Sequence, residues 1–173
     1  MTTLVDFQIR QLMSRKPPLV APFDESLINP CSIDCLLGDE IMIESAQTPE
    51  MNTKLSIADT TKDNPFLLKP GQFILAVTRE VVCIPDNLSA IFMLKSSRAR
   101  EGIEHSHAGF IDAGFHGAIT LEISNVRQLH SIPLWAGMKI GQLVISQCSE
   151  IPLQPYHQTG RYCGDKTVTA SKG

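Results

Sequence analysis

Ala118-Ile119-Thr120-Leu121-Glu122-Ile123-Ser124-Asn125 alternates apolar and polar residues with a period of two. Ile119, Leu121 and Ile123 share one face of a strand; Thr120, Glu122 and Ser124 share the other. The apolar face calls for a core. Glu122 then faces either solvent or a polar cavity, since a carboxylate is rarely buried without a partner. Just upstream lies Gly109-Phe110-Ile111-Asp112-Ala113-Gly114-Phe115-His116-Gly117, in which Asp112-Ala113-Gly114 has the composition of a tight turn.

Working outward, further short strands are expected at Glu40–Glu44, Gln72–Val77, Val81–Ile84, Ser89–Leu94, Ser131–Leu134 and Gln142–Ser146. Turn residues such as Pro70-Gly71, Pro85-Asp86-Asn87 and Ala136-Gly137 punctuate them. Strands spaced by about 8–12 residues point to a sandwich or barrel rather than alternating strands and helices. Only Thr3–Arg15 reads as a helix of any length, with Thr3 as N-cap and Pro17-Pro18 as its stop. Thr48–Asn64 is polar and reads as a loop. The chain shows no internal repeat and no linker, so residues 1–173 are expected to form one domain.

The composition bounds the function. The chain has 173 residues, 43% hydrophobic, 19% charged and 6% aromatic, an ordinary globular mixture that excludes a disordered or collagen-like chain. A net charge of −3 argues against a sequence-independent nucleic-acid binder. The apolar runs are too short to span a bilayer and no secretory leader is visible at Met1–Phe7, so the expected compartment is the cytoplasm and no membrane partner is expected. Five cysteines without a leader argue against a disulfide framework; they read as small buried residues. His105-x-His107 has no third ligand in sequence, and none of the five histidines receives a catalytic role.

Lys95-Ser96-Ser97-Arg98-Ala99-Arg100-Glu101-Gly102 follows an apolar strand and reads as one helical turn closed by glycine. It is either a capped, solvated turn or an anion site built from free N–H groups, hydroxyls and cations. The last stretch, Tyr156–Gly173, is polar and glycine-bearing. It reads either as a frayed terminus or as a mobile lid that folds over a ligand.

Taken together with Ile28–Gly38, Leu68-Lys69-Pro70-Gly71-Gln72, Trp135–Leu143 and Pro155-Tyr156 with Gly160-Arg161-Tyr162, these segments resemble the dCTP deaminase branch of the trimeric dUTPase-like superfamily. The resemblance extends over most of the chain. It implies a mainly β fold, a distorted β-barrel or jelly-roll-like body with a few short helices. It implies hydrolysis of dCTP to dUTP and ammonia without zinc, and homotrimers with sites between subunits. The zinc deaminase signature, H-x-E followed by P-C-x-x-C, is missing here: no His is followed two residues on by Glu, and Cys31 and Cys35 are four apart.

Carried over position by position, the resemblance makes Glu122 the general base and gives Ser96 and Arg100 the task of holding the attacking water and the glutamate. Ala108 aligns with a backbone carbonyl that meets the pyrimidine amine or the water, across a one-residue deletion. Asp112 matches an acceptor of the deoxyribose 3′-hydroxyl, and Phe115 an aromatic beneath the sugar. Lys95, Ser97 and Gln142 match phosphate-side positions, and Tyr156, Arg161 and Lys166 tail contacts. No metal ligand is assigned; Mg²⁺ is expected on the phosphates and waters.

Two positions depart from strict deaminases. Phe110 stands where they commonly carry Arg, and Gln142 where they tend to lack Gln. Both look more like dUTPases and the bifunctional enzymes that carry dCTP through to dUMP and pyrophosphate. Asp165 replaces a frequent tail Gln. The sequence leaves open a dUTPase alone, a catalytically silent nucleotide-binding regulator, and feedback by dTTP.

Overall fold

A computed structural model describes residues 2–47 and 50–173. In chain order the elements are β1 (Thr2–Thr3), α1 (Asp6–Met13), β2 (Val20–Ala21), β3 (Ile28–Asn29), β4 (Ser32–Glu44), β5 (Met51–Ser56), β6 (Phe66–Leu68), β7 (Phe73–Cys83), β8 (Leu88–Leu94), α2 (Ser96–Arg100), β9 (Ile103–His105), β10 (Phe110–Ile111), β11 (His116–Asn125), β12 (Ile132–Leu134), β13 (Lys139–Gln147) and α3 (Tyr156–Thr159). The main sheet runs β10-β8-β13-β4-β7-β11-β9, with β1, β2, β3 and β5 paired at its sides; β12 and β6 form a separate ribbon. The sheet curls into a distorted half-barrel, the mainly β class expected from the sequence.

Strand β4 makes the curl. Its first half pairs with β13, placing Ile33 opposite Leu143 and Asp34 opposite Gln142. Its second half pairs with β5 and β7. Ser32 through Gly38 are buried without alternation, as in a strand covered on both faces. Gly38 marks the crossing: a Cβ there would lie 2.8 Å from Val77 Cγ1 and 2.9 Å from the Val77 carbonyl oxygen. Only a residue without a side chain lets the two backbones meet so closely.

The interior is apolar and contiguous, with Ile9, Leu37, Ile41, Ile74, Leu121, Ile123, Leu143 and Ile145 fully buried. The alternation read in β11 holds: Leu121 and Ile123 face this core, and Ile119 packs partly against it.

Four sequence expectations need correction. Thr3 is not an N-cap; Thr2–Thr3 pairs with β13, and α1 starts at Asp6 and ends at Met13, with the Gln8 side chain accepting from the Val5 N–H at 3.1 Å. The polar Thr78–Glu80 step does not break the strand, because the Thr78 hydroxyl and one Glu80 oxygen find partners inside. Thr78 Oγ1 donates to the Glu80 carbonyl and accepts from the Ile119 N–H, while Glu80 Oε2 accepts from the Leu36 N–H at 2.9 Å. The Thr48–Asn64 region, of which Thr48 and Pro49 lie outside the described residues, contains strand β5. Its polar outer residues mask the pairing with β4, which turns Leu55 toward the core. Of the cysteines only Cys35 is buried; Cys31 is exposed and the other three are intermediate, all of them free.

The tail docks on the sheet's outer face. Val168 is fully buried in a second apolar cluster with Met42, Leu75, Val77 and Ala118. The Ala118 N–H donates to the Asp165 carbonyl at 2.7 Å, and the Thr169 N–H donates to Thr120 Oγ1 at 3.3 Å. Val168→Asp would place an unpaired charge in that cluster. We expect it to release the tail, so that trypsin cuts after Arg161 and Lys166 at least about tenfold faster than in the wild-type chain while far-UV circular dichroism is unchanged. Unchanged cleavage would show that Val168 does not hold the tail.

Candidate active site

Glu122 stands near the middle of β11, opposite Leu75 of β7, and strand β9 flanks it on the other side. Its side chain is 30% exposed, and Oε2 is buried without a hydrogen-bond partner among the described residues. Burial pushes the carboxyl pKa above its ordinary value, because removing water penalises the charged form. His105, at the end of β9, brings Nε2 to 3.5 Å from Oε2. Burial moves the His105 pKa the opposite way, downward, and the exposed His107 adds to that.

Glu122 lines a cleft of about 690 Å³, together with Ala108, Phe110, Asp112, Phe115 and Tyr156. That volume is in the range of small-molecule sites. Phe115 serves two purposes: it packs into the core and also forms the cleft floor, tilted against Tyr156 at 5.5 Å between ring centres. The loop bearing Ala108 lies close on β8, where the Gly109 carbonyl accepts from the Phe92 N–H at 2.7 Å. A Cβ on Gly109 would overlap the Phe92 carbonyl oxygen, so the residue after Ala108 must be glycine for the loop to sit there.

The tail forms the outer wall. Asp165, Thr169, Ala170 and Ser171 line the same cleft as Glu122. Asp165 is neutralised by Lys172, whose Nζ lies 2.8 and 2.9 Å from its two oxygens. Arg161 is exposed and lines an adjoining cleft that shares Phe110, Asp112 and Tyr156 with the first. Lys166 is exposed and lines neither. The described lining of the Glu122 cleft holds four carboxylates, on Glu50, Asp112, Glu122 and Asp165, and no lysine or arginine.

The cationic residues collect elsewhere. Helix α2, with its Gly102 end, is the single turn read from the sequence. Ser96, Ser97 and Arg100 are exposed on it, and with Lys95 and Gln142 they lie outside the Glu122 cleft. Of these, Lys95 reaches Asp34, which is 2% exposed, and Gln142 pairs opposite it across β13 and β4. Lys95 Nζ donates to Asp34 Oδ1 at 2.6 Å, Asn29 Nδ2 donates to the same oxygen at 2.7 Å, and Lys139 Nζ lies 3.1 Å from Oδ2. Burial opposes the Asp34 charge, but these donors outweigh it and hold the carboxyl below its ordinary pKa. Ser32 Oγ donates to Gln142 Oε1 at 2.9 Å. Within one chain, therefore, Glu122, Ala108, Asp112, Phe110, Phe115 and Tyr156 come together, and Ser96, Ser97, Arg100, Lys95 and Gln142 form a separate group. No local pattern marks His105 or Asp34 as neighbours of these groups; strand pairing brings them there.

The family model for dCTP deaminase-like proteins matches residues 3–148. The chain belongs to the dCTP deaminase-like family. A relative in Streptomyces avermitilis named "dCTP deaminase, dUMP-forming" is 41% identical over 180 residues, spanning 98% of this chain and 94% of its own. One in Methanosphaerula palustris with the same name is 42% identical over 177 residues, with the same coverage. The crystal structure of 2′-deoxycytidine 5′-triphosphate deaminase from Agrobacterium tumefaciens superposes with a TM-score of 0.67 at 21% identity, covering 83% of this chain. This chain spans about half, 48%, of that one, and the likeness establishes the fold that it shares with the family.

In this dCTP deaminase-like chain the Glu122 carboxyl pKa is higher folded than unfolded. The folded chain thus binds the proton more tightly, and stability falls as pH rises through the window between the two values. Glu122→Gln removes that penalty. Differential scanning calorimetry should show a Tm rise on the order of 2 °C at pH 7.5 that shrinks toward pH 4. A lower Tm at pH 7.5 would mean that the carboxylate stabilises the fold.

Proposed function

We propose that this chain hydrolyses dCTP to dUTP and ammonia and carries the product on to dUMP and pyrophosphate. The observation that carries the first step is the half-buried Glu122 carboxyl in a cleft with Ala108, Asp112 and Phe115. A carboxyl with its pKa raised toward neutrality can both take and return a proton. Relatives of nearly full-length coverage that bear the name "dCTP deaminase, dUMP-forming" support the second step. Phe110 and Gln142 agree with it.

In this reading Glu122 takes a proton from water, and the hydroxide adds to C4 of the cytosine. Glu122 then protonates N3, takes the proton of the new C4 hydroxyl and passes it to the exocyclic amine, which leaves as ammonia as the C4 carbonyl forms. Ser96 and Arg100 hold the water and the carboxylate, and the Ala108 carbonyl meets the amine. Asp112 accepts the 3′-hydroxyl, and the Phe115 ring beneath the sugar leaves no room for a 2′-hydroxyl. A second water, set by Asp112 and Gln142, then attacks the α-phosphate and pyrophosphate leaves. Lys95, Ser97, Gln142, Tyr156, Arg161 and Lys166 bind the nucleotide, and residues 156–173 close over it as a lid.

Zinc is not part of this proposal, since the sequence lacks the zinc deaminase pattern. Mg²⁺ would travel with the triphosphate. Mg²⁺ prefers oxygen ligands and keeps several waters, as phosphates with bound water supply. Mg²⁺ there would neutralise phosphate charge.

The division of the site into an acidic cleft and a distant cationic group supports a homotrimer whose sites join the Glu122 face of one copy to the α2 face of the next. A triphosphate cannot bind four carboxylates without cations from outside that cleft. Among the described residues no helix is long and apolar enough to cross a membrane.

Incubation with dCTP and Mg²⁺, resolved by anion exchange, should yield ammonia, dUMP and pyrophosphate without accumulating dUTP. Glu122→Gln should lower ammonia release by roughly 10³-fold. Cleavage of dUTP with dCTP returned unchanged would replace this reading with a dUTPase, and loss of both reactions would leave a nucleotide-binding regulator. The shared site has its own test. Glu122→Gln and Arg100→Ala chains, each inactive, are mixed in equal amounts, unfolded and refolded together; roughly a quarter of wild-type activity should return. No recovery would put Glu122 and Arg100 of each site on one chain.

A further inference from the structure

Glu122 Oε2 is a buried carboxylate oxygen without a hydrogen-bond partner among the described residues. Such an atom normally finds a donor, because leaving it bare after removal from water is costly. His105 Nε2 is the donor-bearing group beside it, at 3.5 Å. We infer that His105 is a positioning residue for Glu122, whose Nε2–H captures Oε2 when nucleotide fills the cleft and leaves Oε1 to take the proton from water.

The geometry is held from both sides. His105 pairs with Ile123 at the end of β9, and the next residue, Ser106, donates its N–H to the Glu122 carbonyl at 3.1 Å, so the chain leaving β9 runs beside Glu122. The ring is 8% exposed and packs against Phe92 with centres 5.1 Å apart. A distance of 3.5 Å is longer than a formed bond, and such contacts commonly tighten only with substrate bound. Burial and His107 favour a neutral imidazole. A neutral ring can donate one N–H and orient the carboxylate without cancelling the negative charge that makes it a base. The other ionisable groups around the pair are Glu50, Asp112 and Asp165, which line the cleft with Glu122.

The inference rests on the reading of Glu122 as the base, and the experiment separates the two. Deamination of dCTP is measured across pH 5–9 for the wild type, His105→Ala, His105→Gln and Glu122→Gln. His105→Ala should lower kcat by about 10- to 100-fold with KM changed by less than about threefold. Its acid limb of kcat/KM should move to higher pH, because an unheld carboxylate is harder to ionise. His105→Gln, which keeps an N–H near the same place, should recover most of the loss and return the acid limb toward the wild-type position. A His105→Ala chain with unchanged kcat and acid limb, beside an inactive Glu122→Gln, overturns the role of His105 alone. So does a Gln variant as impaired as the Ala variant. Full activity of Glu122→Gln overturns the base assignment and this inference with it.

Discussion

Everything in this fold depends on the close crossing of β4 over β7 at Gly38. One strand must pair with β13 along its first half and with β5 and β7 along its second, and a flat sheet cannot do both. The missing side chain at Gly38 lets the backbones approach, and the register shift between Leu37 and Ile41 turns the strand there. Once β4 turns, β7 and β11 follow it. The outer face of β11 then becomes the wall of a cleft, and Glu122 sits in that wall.

Curling a sheet this tightly takes polar groups inward, and the chain satisfies most of them locally. Glu80 is fully buried next to the crossing, with its pKa raised by burial, and the Leu36 N–H bonded to it. Thr78 bridges the backbones of β7 and β11. Asp34 is surrounded by Lys95, Lys139 and Asn29. Glu122 differs from Asp34, because its inward oxygen has only the long approach of His105. A buried carboxyl left partly unsatisfied in the wall of a cleft is a common mark of a working site.

Charge organises the rest. Carboxylates and aromatic rings gather on the Glu122 side, and Lys95 and Lys139 gather around Asp34. The tail bridges part of this contrast by bringing Lys172 to Asp165, an ion pair within the tail itself. Its Val168 anchor lies in a cluster apart from the main core, and backbone bonds from Ala118 to Asp165 and from Gly164 to His116 hold it to the sheet.

Much of this was legible in the residues. The period of two in Ile119–Ser124 determined a strand with Glu122 off the core face, Asp112-Ala113-Gly114 marked the turn before it, and Lys95–Gly102 read as the single turn that α2 is. The ordered motifs pointed to the family. Local pattern could not reach further, since alternation says which face a residue occupies and not what covers that face. Whether Glu122 met solvent or a cavity was decided by the tail and by β9, segments tens of residues away in sequence. The continuity of β7 through Thr78–Glu80 depended on donors from β4 and β11, and β5 hid behind its polar outer residues. Composition and spacing thus determined the strands, turns and chemical groups available. Tertiary structure alone decided which groups meet, because burial, pairing and charge separation arise from contacts between parts of the chain that no local period connects.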